Sequence, residues 1–201
     1  TPQTFWPYSE VGHTQDAKKT LLKYVPFEHT ENVLNSVKPV QLIQRILQLA
    51  TIANNSDIVL DFFSGSGTTP HAVMVQNSLD GGNRRYICVQ IPEPLEKPEP
   101  TFNSILGMSL ERTKNVAAEL SAELNPPDLG YRLVKIDTTN MTDVIREPDE
   151  TDQLALDELE PSIKTGRSSE DVLFQVLLDW GLEITMPIRK ENANGFDIYD
   201  V

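Results

Sequence analysis

The sequence predicts an α/β fold followed by a small C-terminal α+β extension. Three observations carry this. The apolar run Ile58-Val59-Leu60 ends at Asp61, enters a turn containing Gly65 and Gly67, and continues into a segment that can be helical. A second apolar run, Tyr86–Ile91, follows that segment after the turn signal Asp80-Gly81-Gly82. This strand–helix–strand order belongs to an α/β fold. Nearer the C-terminus, a helical stretch precedes two strand-like runs joined by Asn192-Ala193-Asn194-Gly195, a hairpin signal.

The elements follow in order. Residues 1–12 read as extended, with turns at Pro2 and Pro7. Thr14 suits the N-cap of a helix from Gln15 to Tyr24, stopped before Pro26. Residues 25–37 read as loop. Pro39 suits the first turn of a helix reaching about Ile52, with Leu42, Ile46 and Leu49 as an apolar stripe and Ile43 and Leu47 beside it. The first strand is Ile58–Asp61, the next helix about Thr69–Asn77, and the second strand Tyr86–Ile91. Pro92, Pro94, Pro98 and Pro100 then deny both helix and ladder pairing, which leaves a shaped loop. A long helix is predicted over about Asn103–Leu124 and a third strand over Tyr131–Ile136. The segment 140–167 is acidic and weakly patterned. Ser168 or Ser169 suits the cap of a helix over Glu170–Trp180, ended by Gly181, with strands over Leu182–Arg189 and Gly195–Val201 after it.

The glycine-rich turn is the candidate site. Glycine permits sharp turns and close ligand approach, and a helix start offers unpaired N–H groups to a polar or anionic ligand. A nucleotide P-loop needs a lysine after its last glycine, and here Gly67 is followed by Thr68 and Thr69. A dinucleotide fingerprint needs a third glycine where this chain has Pro70. The remaining ligand class is S-adenosylmethionine (AdoMet), whose sites pair a strand-end acid with a G-x-G turn. A plain strand-to-helix turn with no ligand is the alternative.

Composition narrows the function classes. No apolar run reaches membrane-spanning length and no signal-peptide pattern opens the chain. The single cysteine, Cys88, falls within a predicted strand and reads as a small buried apolar residue, and one cysteine with His13, His29 and His71 gives no metal-ligand spacing. The formal charge is −13, and residues 143–201 supply −10 of it with five basic and fifteen acidic side chains. Nucleic-acid binding needs clustered Lys and Arg, which this chain does not supply. Lys18, Lys19 and Lys23 give one helix a basic face that reads as solvated or as phosphate-facing.

The stretch Leu34–Ile91 resembles the AdoMet-binding half of bacterial DNA amino-methyltransferases. Lys38-Pro39 with Leu42, Ile46 and Leu49 matches the segment ahead of the loop in one circularly ordered class. DFFSGSGTT matches the loop, with Phe62 where many members carry proline, and Tyr86–Ile91 matches the second strand. TFWPYSEVGHTQDAKKTL, VQIPEP and EDVLFQVLLDWGLEI are similar to the methylation (Mod) subunit of type III restriction–modification systems. The resemblance covers nearly the whole chain. It implies a partial Rossmann-like AdoMet-dependent methyltransferase fold, with 1–30 the end of a target-recognition region, 31–140 the AdoMet-binding part and 141–201 an acidic extension.

The chain departs from that family in one respect. The catalytic [DN]PP[YFW] motif is missing: Asn125-Pro126-Pro127-Asp128 lacks the aromatic and lies after the loop, and Trp6-Pro7-Tyr8 lacks the acid or amide. The first reads instead as a helix-ending turn. The chain is therefore expected to be the C-terminal, cofactor-binding part of a DNA adenine methyltransferase without its catalytic tetrapeptide. The resemblance implies double-stranded DNA (gripped through the parent protein's other parts), a restriction subunit and a second methylation subunit as partners, in a bacterial cytoplasm. A non-catalytic assembly module is the rival, and a small-molecule methyltransferase a weaker one.

The resemblance also implies the site residues. Asp61 would hold loop amides or approach the cofactor's ammonium group. The backbone of Ser64, Gly65, Ser66 and Gly67 would follow its methionine portion, and Thr68 and Thr69 would cap the helix or meet its carboxylate. Phe63 would pack on the adenosine side or against the absent catalytic loop. At the position of the usual ribose-binding acid stands Gln90, with Glu93 three residues on as the alternative. Lys38 would pair with the cofactor carboxylate or stay in solvent.

Overall fold

The computed structural model describes residues 4–142 and 163–201. The chain forms two compact units, Thr1–Gly130 and Tyr131–Val201.

In the first unit, helix α1 (Tyr8–Val11) is a single turn after Pro7, where the sequence suggests extended chain. Proline fixes a φ compatible with a helix start, which explains the turn. Helix α2 (Thr14–Tyr24) is capped by His13, whose ring accepts from Gln15 N and Asp16 N, not by Thr14. Helix α3 (Val40–Ala50) starts immediately after Pro39. Its buried residues are Val40 and Leu47, with Ile43 packed beside them, while Ile46 and Leu49 of the expected stripe are exposed.

Strand β1 (Ile58–Asp61), helix α4 (Thr68–Asp80) and strand β2 (Arg85–Cys88) form a strand–helix–strand unit with parallel pairing, Leu60 opposite Ile87 and Asp61 opposite Cys88. β2 ends three residues earlier than expected. Its last residue, Cys88, is half-buried, and burial pushes its thiol up to about 11. Helix α5 (Ile105–Leu120) is capped by the Ser104 hydroxyl, which accepts from Gly107 N. It stops before Asn125, so Pro126 and Pro127 lie in irregular chain.

Alternation sends Val59 and Tyr86 inward, where they pack on Val40, Leu47, Ala72 and Val73. The opposite face of the same strands carries Ile58, Leu60 and Ile87, each more than half exposed. α4 is the centre of the unit: Met74 meets Val116 and Leu120 of α5, and its first ten positions are buried except Val75. A further cluster joins Ala17, Leu21 and Val25 to Val37, Phe102 and Met108.

The proline-rich loop is tied down by Glu99, a residue whose role is not evident from the sequence. Its carboxylate accepts from Glu28 N (2.7 Å), His29 N (3.2 Å) and Asn32 Nδ2 (2.6 Å).

The second unit holds helix α6 (Ser169–Asp179) and the antiparallel hairpin β3 (Arg189–Ala193) and β4 (Phe196–Asp200). Ser168 and Asp171 form a reciprocal capping box. The first hairpin strand begins at Arg189, not Leu182. Pro187 has no N–H to give a ladder, so Leu182–Pro187 remains turn and coil. The expected strand at Tyr131–Ile136 is irregular chain. A strand needs a pairing neighbour, and the Arg132 guanidinium instead donates to the carbonyls of Ile184 and Met186. Most of the acidic stretch 140–167 lies outside the described residues, as does Pro2. Among the described residues no helix is long and apolar enough to cross a membrane.

Candidate functional site

The loop between β1 and α4 lies beyond the carboxyl ends of two parallel strands, where ligands bind in open α/β sheets. Its shape requires both glycines. Gly65 has φ +53 and Gly67 φ +72, the left-handed region that L side chains avoid. The two differ in surroundings. A Cβ on Gly67 would stand 2.6 Å from Ser109 Oγ and 3.1 Å from Ser109 O, so Gly67 lets α4 approach α5. A Cβ on Gly65 would meet only Phe63 O, at 3.8 Å, so the surface over Gly65 is open.

Every sequence-predicted residue can be placed. Asp61 ends β1 and uses both oxygens: Oδ1 accepts from Phe63 N at 3.0 Å and Oδ2 from the Thr69 hydroxyl at 2.6 Å. It closes an Asx-type turn and anchors the first turn of α4. Ser64 N donates to Val89 O, and Gly67 N to Ser64 O. Gln90 binds the loop, since its Oε1 accepts from Gly65 N at 2.7 Å while its Nε2 donates to Ile91 O. Thr68 Oγ1 donates to Lys38 O at 3.3 Å, which ties the Lys-Pro segment to the loop through main chain. The Lys38 side chain is exposed. Phe63 is 87% exposed, and Glu93 is exposed too. The structure thus brings Asp61, Ser64–Thr69, Lys38 and Gln90 into one hydrogen-bonded group. Among the described residues, no side-chain hydrogen bond joins Glu93 to this group, and Phe63 belongs to it through its backbone N–H alone.

α4 opens with Thr68, Thr69 and Pro70. First-turn N–H groups precede any intrahelical partner, and proline has none, so Thr68 and Thr69 supply the donors.

One participant is not apparent from the sequence. Arg112 of α5 is fully buried and donates from Nη1 to Ser66 O (3.1 Å), Ser66 Oγ (3.3 Å) and Thr68 Oγ1 (3.0 Å). Its Nε donates to His71 Nδ1 at 3.1 Å. Burial lowers the guanidinium to about 10, which leaves it charged at neutral pH. Burial and then the Arg112 charge push His71 down to about 3, so the ring is neutral and Nδ1 is free to accept. His71 also stands edge-on to Tyr24, with ring centroids 5.0 Å apart. The available sequence signal is the spacing Met108-Arg112-Val116-Leu120, which sets an arginine in the apolar stripe of a helix.

Among the described residues, no group of three or more His, Cys, Asp or Glu side chains could hold a metal ion.

A family profile described as DNA methylase matches residues 1–116, more than half of the chain and all of this loop. The chain belongs to the DNA methylase family. It is 36% identical over 132 residues to the Mod subunit of the type III restriction–modification enzyme StyLTI of Salmonella typhimurium, covering 62% of this chain and 19% of that protein. The type II methyltransferase M.KpnI of Klebsiella pneumoniae is 33% identical over 108 residues, covering 52% of this chain and 24% of the relative. The Mod subunit of the type III enzyme EcoPI of Escherichia phage P1 is 32% identical over 102 residues, covering 48% and 16%. The Mod resemblance read from the motifs is matched by these relatives. The chain spans about a fifth of their length.

Proposed function

We propose that this chain is the methyl-donor-binding part of a type III Mod-like DNA methyltransferase acting on the amino group of adenine, with AdoMet as donor. The observation that carries the reading is the braced G-x-G loop of a DNA methylase: its backbone is fixed by Asp61, Gln90 and Arg112, and the surface over Gly65 is open. That opening fits a ligand followed closely by main chain. A side chain at Gly65 would fill it.

AdoMet, when bound, supplies a methyl group activated by the adjacent sulfonium. The protein's task is then to position donor and acceptor. Here the Thr68 and Thr69 N–H groups would receive the donor's carboxylate, helped by the positive end of α4. The Lys38 side chain would reach the same carboxylate from solvent. Asp61 retains lone pairs beside its two hydrogen bonds and would accept from the donor's ammonium group. Gln90 already spends its oxygen on Gly65, so exposed Glu93 would take the ribose hydroxyls. Exposed Phe63 would cover the adenosine side or meet the part of the domain that carries the [DN]PP[YFW] motif. The uncovered face with Ile58, Leu60 and Ile87 supports a larger, Rossmann-like sheet of which β1 and β2 are one portion. Double-stranded DNA, a restriction subunit and a second Mod subunit, in the bacterial cytoplasm, would then be the partners of the whole protein.

A second reading rests on the acidic extension. Leu178 and Trp180 at the end of α6 and Phe196 on the hairpin are exposed. They favour an assembly role for the extension 141–201 toward another subunit of the system.

Calorimetric titration with S-adenosylhomocysteine, beside an Asp61→Ala variant, tests the first reading. Saturable binding that the variant loses supports a donor site in this chain. A folded chain without binding sinks that reading and leaves the assembly role.

A further inference from the structure

Arg112 presents a combination that ordinary core packing does not call for. The residue is 0% exposed, and all its hydrogen-bond partners are neutral: a carbonyl, two hydroxyls and an imidazole nitrogen. Among the described residues it makes no ion pair, and its Nη2 is buried without a partner. A buried cation without a counter-charge is expensive, and an apolar residue of similar volume costs less in most cores. Its neighbours one helical step away on either side, Met108 and Val116, are apolar and equally buried. The charge has to be explained by what it touches.

It touches the loop. One guanidinium nitrogen holds the Ser66 carbonyl and the hydroxyls of Ser66 and Thr68 together. With the Ser66 carbonyl turned back to Arg112, the chain passes through Gly67 and exits at Thr68 with helical geometry. Asp61 and Gln90 fix the loop from the strand side, and Arg112 fixes it from α5. The fork has the reach and the planar set of donors for this, whereas a lysine ammonium at the end of a flexible stem does not reproduce it.

We propose that Arg112 is a positioning residue for the methyl-donor loop, setting the Ser66–Thr68 backbone so that the first N–H groups of α4 face the donor's carboxylate. This rests on the donor-site reading above. Arg112 touches no ligand itself and acts through Ser66 and Thr68. The uncompensated charge also leaves the loop electropositive from behind, which favours an anionic ligand group in front of it.

The test is a binding cycle on the full 201-residue chain with S-adenosylhomocysteine as probe. The variants are R112M, R112K, T68V and the R112M/T68V pair, each titrated well below its own melting temperature. R112M is expected to weaken binding roughly tenfold or more, the loss of a charge-assisted hydrogen bond. R112K recovers only part of it. The pair loses less than the product of the two single losses, because the Thr68 hydroxyl is one of the groups that Arg112 holds. A structural role would lower the melting temperature and leave the affinity of the folded protein unchanged. Wild-type affinity in folded R112M, or effects of R112M and T68V that multiply, overturns the proposal. If R112M does not fold, R112K and T68V decide it: full affinity in both overturns it. Absence of binding by the unaltered chain would instead refute the donor-site reading.

Discussion

Alanine at Gly65 and at Gly67 should have different consequences, although the two residues sit two apart with similar backbone angles. Each is in the left-handed region, at φ +53 and +72. Placing an L side chain there costs about 1–2 kcal/mol. For Gly65 the account stops at that point, because the new methyl would meet only Phe63 O at 3.8 Å. At Gly67 the methyl would be 2.6 Å from Ser109 Oγ, 3.1 Å from Ser109 O and 3.3 Å from Ser109 Cα. The hydroxyl can rotate away, but the main-chain atoms of a helix interior cannot. Overpacking of this kind adds about 1–3 kcal/mol. Gly67→Ala should therefore lose roughly 2–5 kcal/mol and Gly65→Ala roughly 1–2 kcal/mol. Urea denaturation followed by circular dichroism gives both values, provided the slopes agree. Donor binding should reverse the order per folded molecule, since the Gly65 methyl enters the open surface. Equal stability losses would refute the close-approach role of Gly67. Undiminished binding by Gly65→Ala would refute the open surface as a ligand cradle.

The His71 ring is neutral in the fold with its pKa pushed down to about 3, so the unfolded chain takes up a proton first as pH falls below about 6.5. Stability tied to His71 is full above that pH and declines toward pH 3. Between pH 7 and 5, before the carboxylates titrate, the loss is on the order of 2 kcal/mol, and His71→Gln should flatten that interval in urea midpoints. Leu21→Ala, at a fully buried position in the α2 cluster, should cost about 2–5 kcal/mol in the same assay. Thr69→Val, which deletes the 2.6 Å bond to Asp61, should cost about 1–3 kcal/mol by thermal or urea melting, and an unchanged midpoint would show that Asp61 anchors α4 by other means. Phe63→Ala should shift stability by no more than about 0.5 kcal/mol, because the ring is 87% exposed, yet weaken S-adenosylhomocysteine binding measured by calorimetry.

The elements that were legible in sequence are those whose signals are local. β1 occupies Ile58–Asp61 as read, because an apolar run bounded by a turn and an acid leaves few alternatives. The capping serine of α6 and the Asn194-Gly195 turn are equally local, with Asn194 and Gly195 both at positive φ as a tight hairpin turn requires. Readings that depended on a partner fared worse. Tyr131–Ile136 has strand-like residues but pairs with no strand among the described residues, and Leu182–Pro187 fails at Pro187. On α3 the expected apolar face divides: Leu47 and Ile43 pack with Ala72 and Val73 of α4, while Ile46 and Leu49 are exposed.

The same division runs through the candidate site, and there it has a chemical consequence. Motif reading picks out Asp61, the two glycines and the two threonines, because a tight turn restricts the residues that can make it. Gln90 is found by position, and in the fold its oxygen accepts from Gly65 N. An acid at that place would leave the loop amide a charged acceptor; a glutamine gives a neutral one and releases no charge toward the ligand. That makes the positive side of the site heavier, because the charge of Arg112 behind the loop likewise has no ion-pair partner among the described residues. Asp61 is then the acid at the loop, with each oxygen accepting one hydrogen bond. Removing Asp61 should do more than cut two hydrogen bonds. It should also take a carboxylate away from the first turn of α4, where the helix N-terminus favours negative charge, which is why Asp61→Ala tests the proposed donor site and Thr69→Val is its stability control.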